Sequence, residues 1–286
     1  MNKKMLTLIC VSLLWVPQVV LSAEVNILSE RQEFLLRPFL DVFQEQTGIK
    51  ANVVYLKKGS LERLKQQPGT VDALLTVDIA NLTAIADAGL FQPINSSVIN
   101  KNVPSKYRNP DGLWTALTAR ARVIYYSRER VKLNELSTYK ALADAKFANR
   151  ICTRSGYNKY NVALISSMIA EHGVAEAKKW LQGLKNNLAR KPQGNDRGQV
   201  KAIYQGQCDV AIGNTYYMVK IFMYAQVNHE YPVKSGVQYS GIVKSFGSGQ
   251  EGVKKGVFKQ DKRNLSEIGS YRKKAIQILD EVNYDK

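Results

Sequence analysis

The chain carries two adjacent tyrosines, Tyr216 and Tyr217, directly after an apolar segment with the pattern of a strand. Gly213 is predicted to turn the chain at the end of that strand, and Asn214 or Thr215 can cap a following helix. Adjacent positions on a helix point about 100° apart, so both phenol rings can face one side. The pattern therefore places two phenol oxygens together at the start of a helix.

Paired phenol oxygens suit a hard cation. A free tyrosine has a pKa of about 10, so a phenolate at neutral pH needs a positive field beside it. A helix N-terminus supplies part of that field, and a trivalent ion supplies far more. Oxygen ligands suit hard cations, and Fe(III) fits well. The alternative from the residues alone is that Tyr216 and Tyr217 are ordinary aromatic side chains packed under a loop.

Enzyme chemistry has little support in the sequence. Only two histidines, His172 and His229, are present. There is neither a Gly-x-Ser-x-Gly motif nor a glycine loop of the kind that binds phosphate. We therefore expect a binding protein rather than an enzyme.

The N-terminus has the composition of a secretory signal peptide. Two lysines precede a mostly apolar run that ends at the small pair Ser22-Ala23. Pro17 interrupts this run, which leaves it shorter than the about 20 apolar residues that a membrane-spanning helix needs. We therefore predict that residues 1–23 are a cleaved signal peptide and that the mature chain is periplasmic.

Two cysteines, Cys152 and Cys208, lie outside the predicted leader. An even pair of cysteines in an exported protein is most simply a disulfide. Thiolate metal sites usually cluster their ligands at short spacing, which this pair lacks. We predict a Cys152–Cys208 disulfide, with two free buried thiols as the alternative.

The chain is strongly basic, with a formal net charge of +17. Such an excess suits an acidic ligand or an anionic membrane surface, or it is simply a solvated surface. The basic residues are spread along the chain and the predicted compartment is extracytoplasmic, so we expect no nucleic-acid partner. We expect a monomer.

Strand-like and helical segments alternate along most of the chain. The opening is a strand at Val25–Ser29, a helix at Glu33–Gln46 and a strand at Ala51–Leu56. Further segments are helices at Ser60–Gln66, Ile79–Ala88, Tyr139–Ala145 and Arg197–Gln205, two helices within Asn158–Asn187, an extended stretch Trp114–Ser127, and strands at Asp72–Val77, Arg150–Arg154 and Asp209–Ile212. The alternation predicts an α/β protein with parallel sheets covered by helices, built as two lobes with a ligand cleft between them.

Several stretches together resemble the bacterial ferric-iron-binding periplasmic proteins. They are Val25–Gln32, Leu75–Asp78, Leu117–Tyr125, Cys152–Gly156, Tyr160-Asn161, Asn187–Gly194, Gly213–Tyr217 and Asn228–Val233. The resemblance implies the two-lobed periplasmic-binding-protein fold, Fe(III) bound in the cleft, and delivery of iron to an inner-membrane ABC permease. It also implies a first lobe at residues 24–118 plus 228–286 with the C-terminal helices, and a second lobe at residues 119–227 that carries the tyrosine ligands.

The resemblance assigns three iron ligands, Tyr160, Tyr216 and Tyr217. Arg120 and Arg122 match a basic segment near the site, where either arginine is a candidate for holding carbonate or another synergistic anion. For each of them, a salt-bridged strand face is the alternative.

Two features depart from the family. The N-terminal motif lacks the tyrosine or histidine–tyrosine pair of close relatives, so Glu30 is the candidate fourth ligand, although an exposed loop glutamate is the alternative. Asp78 lies near an acidic ligand of some relatives or else caps a helix. Only ten residues separate Tyr217 from Asn228, where the family has several tens more.

This deletion after the tyrosine pair predicts an incomplete first lobe with exposed apolar surface. The alternative functions are therefore a degenerate family member with weak iron binding, or a periplasmic protein that binds another oxyanion through helix N-termini and arginines.

Overall fold

A computed structural model of the protein describes residues 23–118, 121–136, 138–214, 237–239 and 263–286. The described residues divide into two compact units, residues 23–76 and residues 77–286. The lobe boundaries given by the family resemblance stay a prediction. None of the helices in the described ranges is long and apolar enough to cross a membrane.

The unit of residues 23–76 is a small parallel sheet with two helices. Its elements are β1 (Glu24–Ser29), α1 (Glu33–Thr47), β2 (Lys50–Tyr55), α2 (Ser60–Gln66) and β3 (Ala73–Leu75). The strand order is β2-β1-β3, and both pairings are parallel. Parallel neighbours need a crossover connection, which α1 and α2 supply. This unit confirms the βαβ opening predicted from the sequence.

Helix α1 ends at Gly48, which adopts the left-handed conformation with φ of 69° and whose N–H binds the carbonyl of Gln44. Glycine adopts this backbone without steric cost. The helix buries none of its residues, and Phe34 and Phe39 are 68% and 75% exposed. The apolar face predicted from the helical spacing is therefore present but exposed.

The unit of residues 77–286 contains a four-stranded sheet and most of the helices. Its elements are α3 (Ile79–Asp87), α4 (Ser97–Asn102), β4 (Arg122–Ser127), β5 (Ile151–Cys152), α5 (Lys159–Asn186), α6 (Asp196–Tyr204), β6 (Val210–Asn214), β7 (Val237–Tyr239), α7 (Leu265–Ser270) and α8 (Arg272–Glu281). The strand order is β5-β6-β4-β7. Strand β5 is parallel to β6, whereas β4 is antiparallel to both β6 and β7. The prediction of parallel sheets therefore holds for β5 and β6 but is wrong for the pairings of β4.

Three local predictions in this unit also differ from the structure. The segment predicted as a helix at Tyr139–Ala145 is a short 3₁₀ turn, Tyr139–Ala143. Strand β6 does not turn at Gly213 but continues to Asn214. The glycine is needed there because a Cβ atom would lie 2.6 Å from the ring of Tyr125. Of the extended stretch predicted at Trp114–Ser127, β4 covers only the second half.

Helix α5 is two helices joined at Gly173, where φ is 78° and ψ is 166°. This confirms the two helices predicted within Asn158–Asn187. The helix lies at the centre of the largest core cluster, with Ile165, Leu181 and Leu184 almost fully buried. Helix α8 packs on it and adds Ile278 and Leu279 to the same core.

The predicted disulfide is present. Cys152 at the end of β5 is bonded to Cys208, and their Cα atoms are 5.9 Å apart. Both residues are buried in a second core cluster with Val200 and Ile203 of α6. The bond therefore joins the end of β5 to the segment just before β6, its parallel neighbour in the sheet.

Candidate functional site

Tyr160 stands in the first turn of α5, the longest helix that the structure describes. The side chain of Asn158 caps this helix by accepting a hydrogen bond from the backbone N–H of Tyr160, at 3.1 Å. An asparagine at this position is preferred because it satisfies an otherwise unpaired donor of the first turn. Tyr160 is partly exposed, so its side chain is accessible to a ligand.

Two guanidinium groups lie beside the ring of Tyr160. The Cζ atoms of Arg122 and Arg154 are each 5.7 Å from the ring centroid. Arg122 is the first residue of β4, and Arg154 follows β5. A cation within about 6 Å of an aromatic ring is attracted to it electrostatically.

A single buried carboxylate, that of Asp196, holds both arginines. Nη1 of Arg122 donates to Oδ2 of Asp196 at 2.5 Å, and Nη1 of Arg154 donates to Oδ1 at 3.3 Å. The Asp196 side chain is 0% exposed and that of Arg122 only 9%. Asp196 is the first residue of α6, where the helix dipole favours a negative charge.

Two asparagines connect this ion-pair cluster to the neighbouring backbone. Arg122 donates to Oδ1 of Asn161 at 2.6 Å and to Oδ1 of Asn214 at 2.9 Å. The N–H of Asn214 donates to Oδ2 of Asp196 at 3.0 Å. The end of β6 is thus fixed to the same carboxylate that holds the arginines beside Tyr160.

For Arg122 the structure shows the salt-bridged arrangement that the sequence left as an alternative. Its Nη1 and Nη2 atoms are engaged by protein groups. The Nε atoms of Arg122 and Arg154 are buried without a hydrogen-bond partner among the described residues. Whether Arg122 also holds an anion stays a prediction.

The neighbour of Tyr160 in the sequence, Lys159, forms a second ion pair. Its Nζ lies 3.1 Å from Oδ2 of Asp78, whose side chain is 6% exposed. The other carboxylate oxygen of Asp78 accepts from the N–H of Asn81 and so caps α3. The capping role weighed for Asp78 from the sequence is therefore confirmed.

Three other tyrosines are poor candidates for phenolate ligands. Burial raises the pKa values of Tyr139 and Tyr284 well above that of a free tyrosine. A hydrogen bond to Asp280, at 2.5 Å, raises the pKa of Tyr157 to about 12. All three environments favour the neutral phenol. Tyr160 differs from all three in having two guanidinium groups beside its ring.

Glu30 lies in the other unit, directly after β1, and is 9% exposed. Its two carboxylate oxygens accept hydrogen bonds from the hydroxyl groups of Ser60 at 3.0 Å and Thr76 at 2.9 Å. The exposed loop glutamate considered from the sequence is therefore wrong, because this side chain is buried and hydrogen-bonded. Its role as an iron ligand stays a prediction.

Tyr216, Tyr217 and Arg120 lie outside the described residues. Within the described ranges, no group of three or more histidine, cysteine, aspartate or glutamate side chains is placed to hold a metal ion. Tyr160 is a partly exposed phenol that is available as a metal ligand.

Sequence reasoning missed Arg154 and Asp196. The segment Gly194-Asn195-Asp196 indicates only a capped helix start, and Asn195 does cap α6 by accepting from the N–H of Gly198. The sequence shows that an acidic residue, Asp196, begins the helix. It does not show the partner of Asp196, because Arg122 is 74 positions away.

Comparison with known proteins places the chain among exported binding proteins. Residues 28–245 match the profile of the bacterial extracellular solute-binding proteins. Iron uptake protein A1 of Synechocystis is 32% identical over an alignment of 323 residues, which covers 91% of this chain and 87% of that protein. This alignment is longer than the 286 residues of the chain, so the relative has segments without a counterpart here.

Two solved structures are similar in fold and sequence. Ferric iron-binding protein A of Mannheimia haemolytica, in an open conformation, is 36% identical with a TM-score of 0.75, covering 92% of this chain and 99% of that one. The Trichodesmium protein in complex with iron and citrate is 29% identical with a TM-score of 0.78, covering 92% of this chain and all of that one. These neighbours establish the periplasmic-binding-protein fold. The chain belongs to the bacterial extracellular solute-binding protein family.

Proposed function

We propose that the protein binds Fe(III) through the phenolate oxygens of Tyr160, Tyr216 and Tyr217 and delivers it to an ABC permease. The observation that carries this proposal is the setting of Tyr160. It is a partly exposed phenol at a helix N-terminus, with two anchored guanidinium groups 5.7 Å from its ring. Positive charge and a helix N-terminus both stabilise an anionic oxygen, which is what a hard trivalent cation needs as a ligand.

Chain geometry supports a shared site for the three tyrosines. Tyr216 and Tyr217 follow Asn214, the last residue of β6, by two and three positions in the sequence. Asn214 in turn accepts a hydrogen bond from Arg122, which lies beside Tyr160. Three phenolates carry the charge that neutralises one ferric ion.

Similar proteins support iron as the ligand. Those described above are named as an iron uptake protein, a ferric iron-binding protein and a protein bound to iron and citrate. The family consists of extracellular solute-binding proteins, which fits the predicted signal peptide at residues 1–23 and a periplasmic location. The same membership supports delivery to an inner-membrane permease.

The deciding experiment is a titration of the purified mature chain with Fe(III), supplied as ferric nitrilotriacetate. Phenolate-bound iron produces a charge-transfer band in the visible spectrum, so absorbance reports both binding and ligand type. We expect a one-to-one red complex in the native chain. Tyr160→Phe should reduce the band and the affinity, and the double variant Tyr216→Phe/Tyr217→Phe should abolish them.

Tyr157→Phe is the matched control, because it removes a phenol three residues from Tyr160 whose hydroxyl is bound to Asp280. It should leave iron binding unchanged. Unaltered binding in the Tyr216→Phe/Tyr217→Phe variant would refute the site. Calorimetric binding of phosphate or sulfate without iron would instead support the oxyanion-binding alternative. A red complex with much weaker affinity than those of the iron-binding relatives would support a degenerate family member.

A further inference from the structure

We propose that Asp196 is a built-in counter-anion of the iron site, which makes Fe(III) binding independent of an external synergistic anion such as carbonate or phosphate. This inference rests on the proposed function and concerns the same site. It assigns to a protein side chain the role that a bound anion would otherwise perform between Arg122 and Arg154.

The geometry of the carboxylate supports this role. Asp196 uses different oxygens for the two arginines, so it bridges them as a small oxyanion would. It is 0% exposed and also accepts from the backbone N–H of Asn214. Backbone N–H groups, arginines and a helix N-terminus are the usual partners of a bound anion in proteins. Here the anion that meets them is covalently part of the chain.

Asp196 also lowers the positive charge beside Tyr160. Two arginines and one aspartate leave a net charge of +1 beside Tyr160, and three phenolates neutralise Fe(III). Without the aspartate, two guanidinium groups would lie buried beside the site with no counter-charge among the described contacts, an arrangement that strongly attracts an anion from solution. In the native site, Nη1 and Nη2 of Arg122 and Nη1 of Arg154 are already engaged by protein groups.

The test compares the native chain with Asp196→Asn in buffer freed of carbon dioxide. Fe(III) is added as ferric nitrilotriacetate, and then as ferric citrate, with and without bicarbonate or phosphate. We expect the native affinity, corrected for each chelator, to be the same under all conditions. Asp196→Asn should bind weakly without anion and gain roughly 5- to 150-fold in affinity when phosphate is added, the usual range of coupling between two ligands.

Asp209→Asn is the matched control. Asp209 also bridges two arginines, accepting from Arg130 at 2.5 Å and from Arg150 at 2.7 Å, but neither arginine contacts Tyr160 in the described structure. This variant should lose stability without acquiring any dependence on anions. Thermal unfolding of all three proteins shows which of them are folded at the assay temperature.

The native chain alone can overturn the inference, even if Asp196→Asn fails to fold. A native affinity that rises when bicarbonate or phosphate is added would refute it, as would an Asp196→Asn variant that binds iron as the native chain does under every condition. Calorimetry with phosphate in the absence of iron separates this inference from the proposed function. Phosphate binding by Asp196→Asn, and not by the native chain or Asp209→Asn, would support the counter-anion role even if no protein bound iron.

Discussion

Reduction of the Cys152–Cys208 disulfide should lower the free energy of unfolding by about 4 kcal/mol. The two cysteines are 56 positions apart in the sequence. Closing a loop of that length removes roughly 14 cal/mol/K of entropy from the unfolded chain in the loop-closure model, which is about 4 kcal/mol at 25 °C. Reduction removes no side-chain atom from the core, so this value is not increased by a cavity.

The assay is urea unfolding of the oxidised and reduced chain, followed by tryptophan fluorescence. With a slope of about 2–3 kcal/mol per molar urea, the loss should move the midpoint down by about 1.5 M. The variant Cys152→Ala/Cys208→Ala is the control, because reductant should leave its midpoint unchanged. It should be less stable than the reduced native chain by about 1 kcal/mol or more, since two buried sulfur atoms are removed from the cluster around Val200 and Ile203.

The reasoning would be refuted by a reduced native chain, with two titratable thiols confirmed, that unfolds at the same urea concentration as the oxidised chain. In that case the unfolded chain would have to be compact enough for the bond to cost it little entropy.

Three further predictions concern packing, a buried carboxylate and pH. Gly156→Ala should cost about 1–3 kcal/mol in thermal or urea unfolding, because its Cβ would lie 2.4 Å from Leu279, whereas Gly198→Ala, with nothing closer than 3.7 Å, should be neutral or stabilising. Glu30→Gln should cost about 1–3 kcal/mol by weakening the hydroxyl contacts of a buried carboxylate, and unchanged iron affinity in this variant would exclude Glu30 as a ligand. Stability should fall as pH rises from about 10 to about 12, because the unfolded chain releases the Tyr157 proton near pH 10 while the raised pKa of about 12 keeps it bound in the fold. Tyr157→Phe should flatten this decline in urea unfolding measured across that range, and an equally steep decline would contradict the assigned pKa.

The sequence predicted elements well where one periodic pattern extends over several turns or one strand. Helix α1 and helix α2 lie within a residue of their predicted bounds. The two helices joined at Gly173 were also predicted, because apolar spacing on each side of a glycine is a local property. The direction of β4 in the second sheet was predicted wrongly, because its pairing with β6 depends on residues about 90 positions apart.

The candidate site was predicted in part for the same reason. Tyr160 was found by its resemblance to a family motif, and Cys152 and Cys208 by counting cysteines in an exported chain. The ion pairs of Asp196 with Arg154 and Arg122 were not predicted, because these partners are 42 and 74 positions away in the sequence. Spacing along the chain carries no signal for such a contact, and an acidic residue at a helix start has an adequate local explanation.

Helix α1 has the exposed apolar surface that was predicted for an incomplete first lobe. Its apolar face has the spacing of a helix that packs on a neighbour, but the helix buries none of its residues. Exposed apolar surface of this kind is what the predicted incomplete lobe implies. Tyr160, Arg122, Arg154 and Asp196 all belong to the unit of residues 77–286, which also contains the disulfide and both large core clusters. The ion pairs of Asp196 with Arg122 and Arg154 therefore lie within that unit.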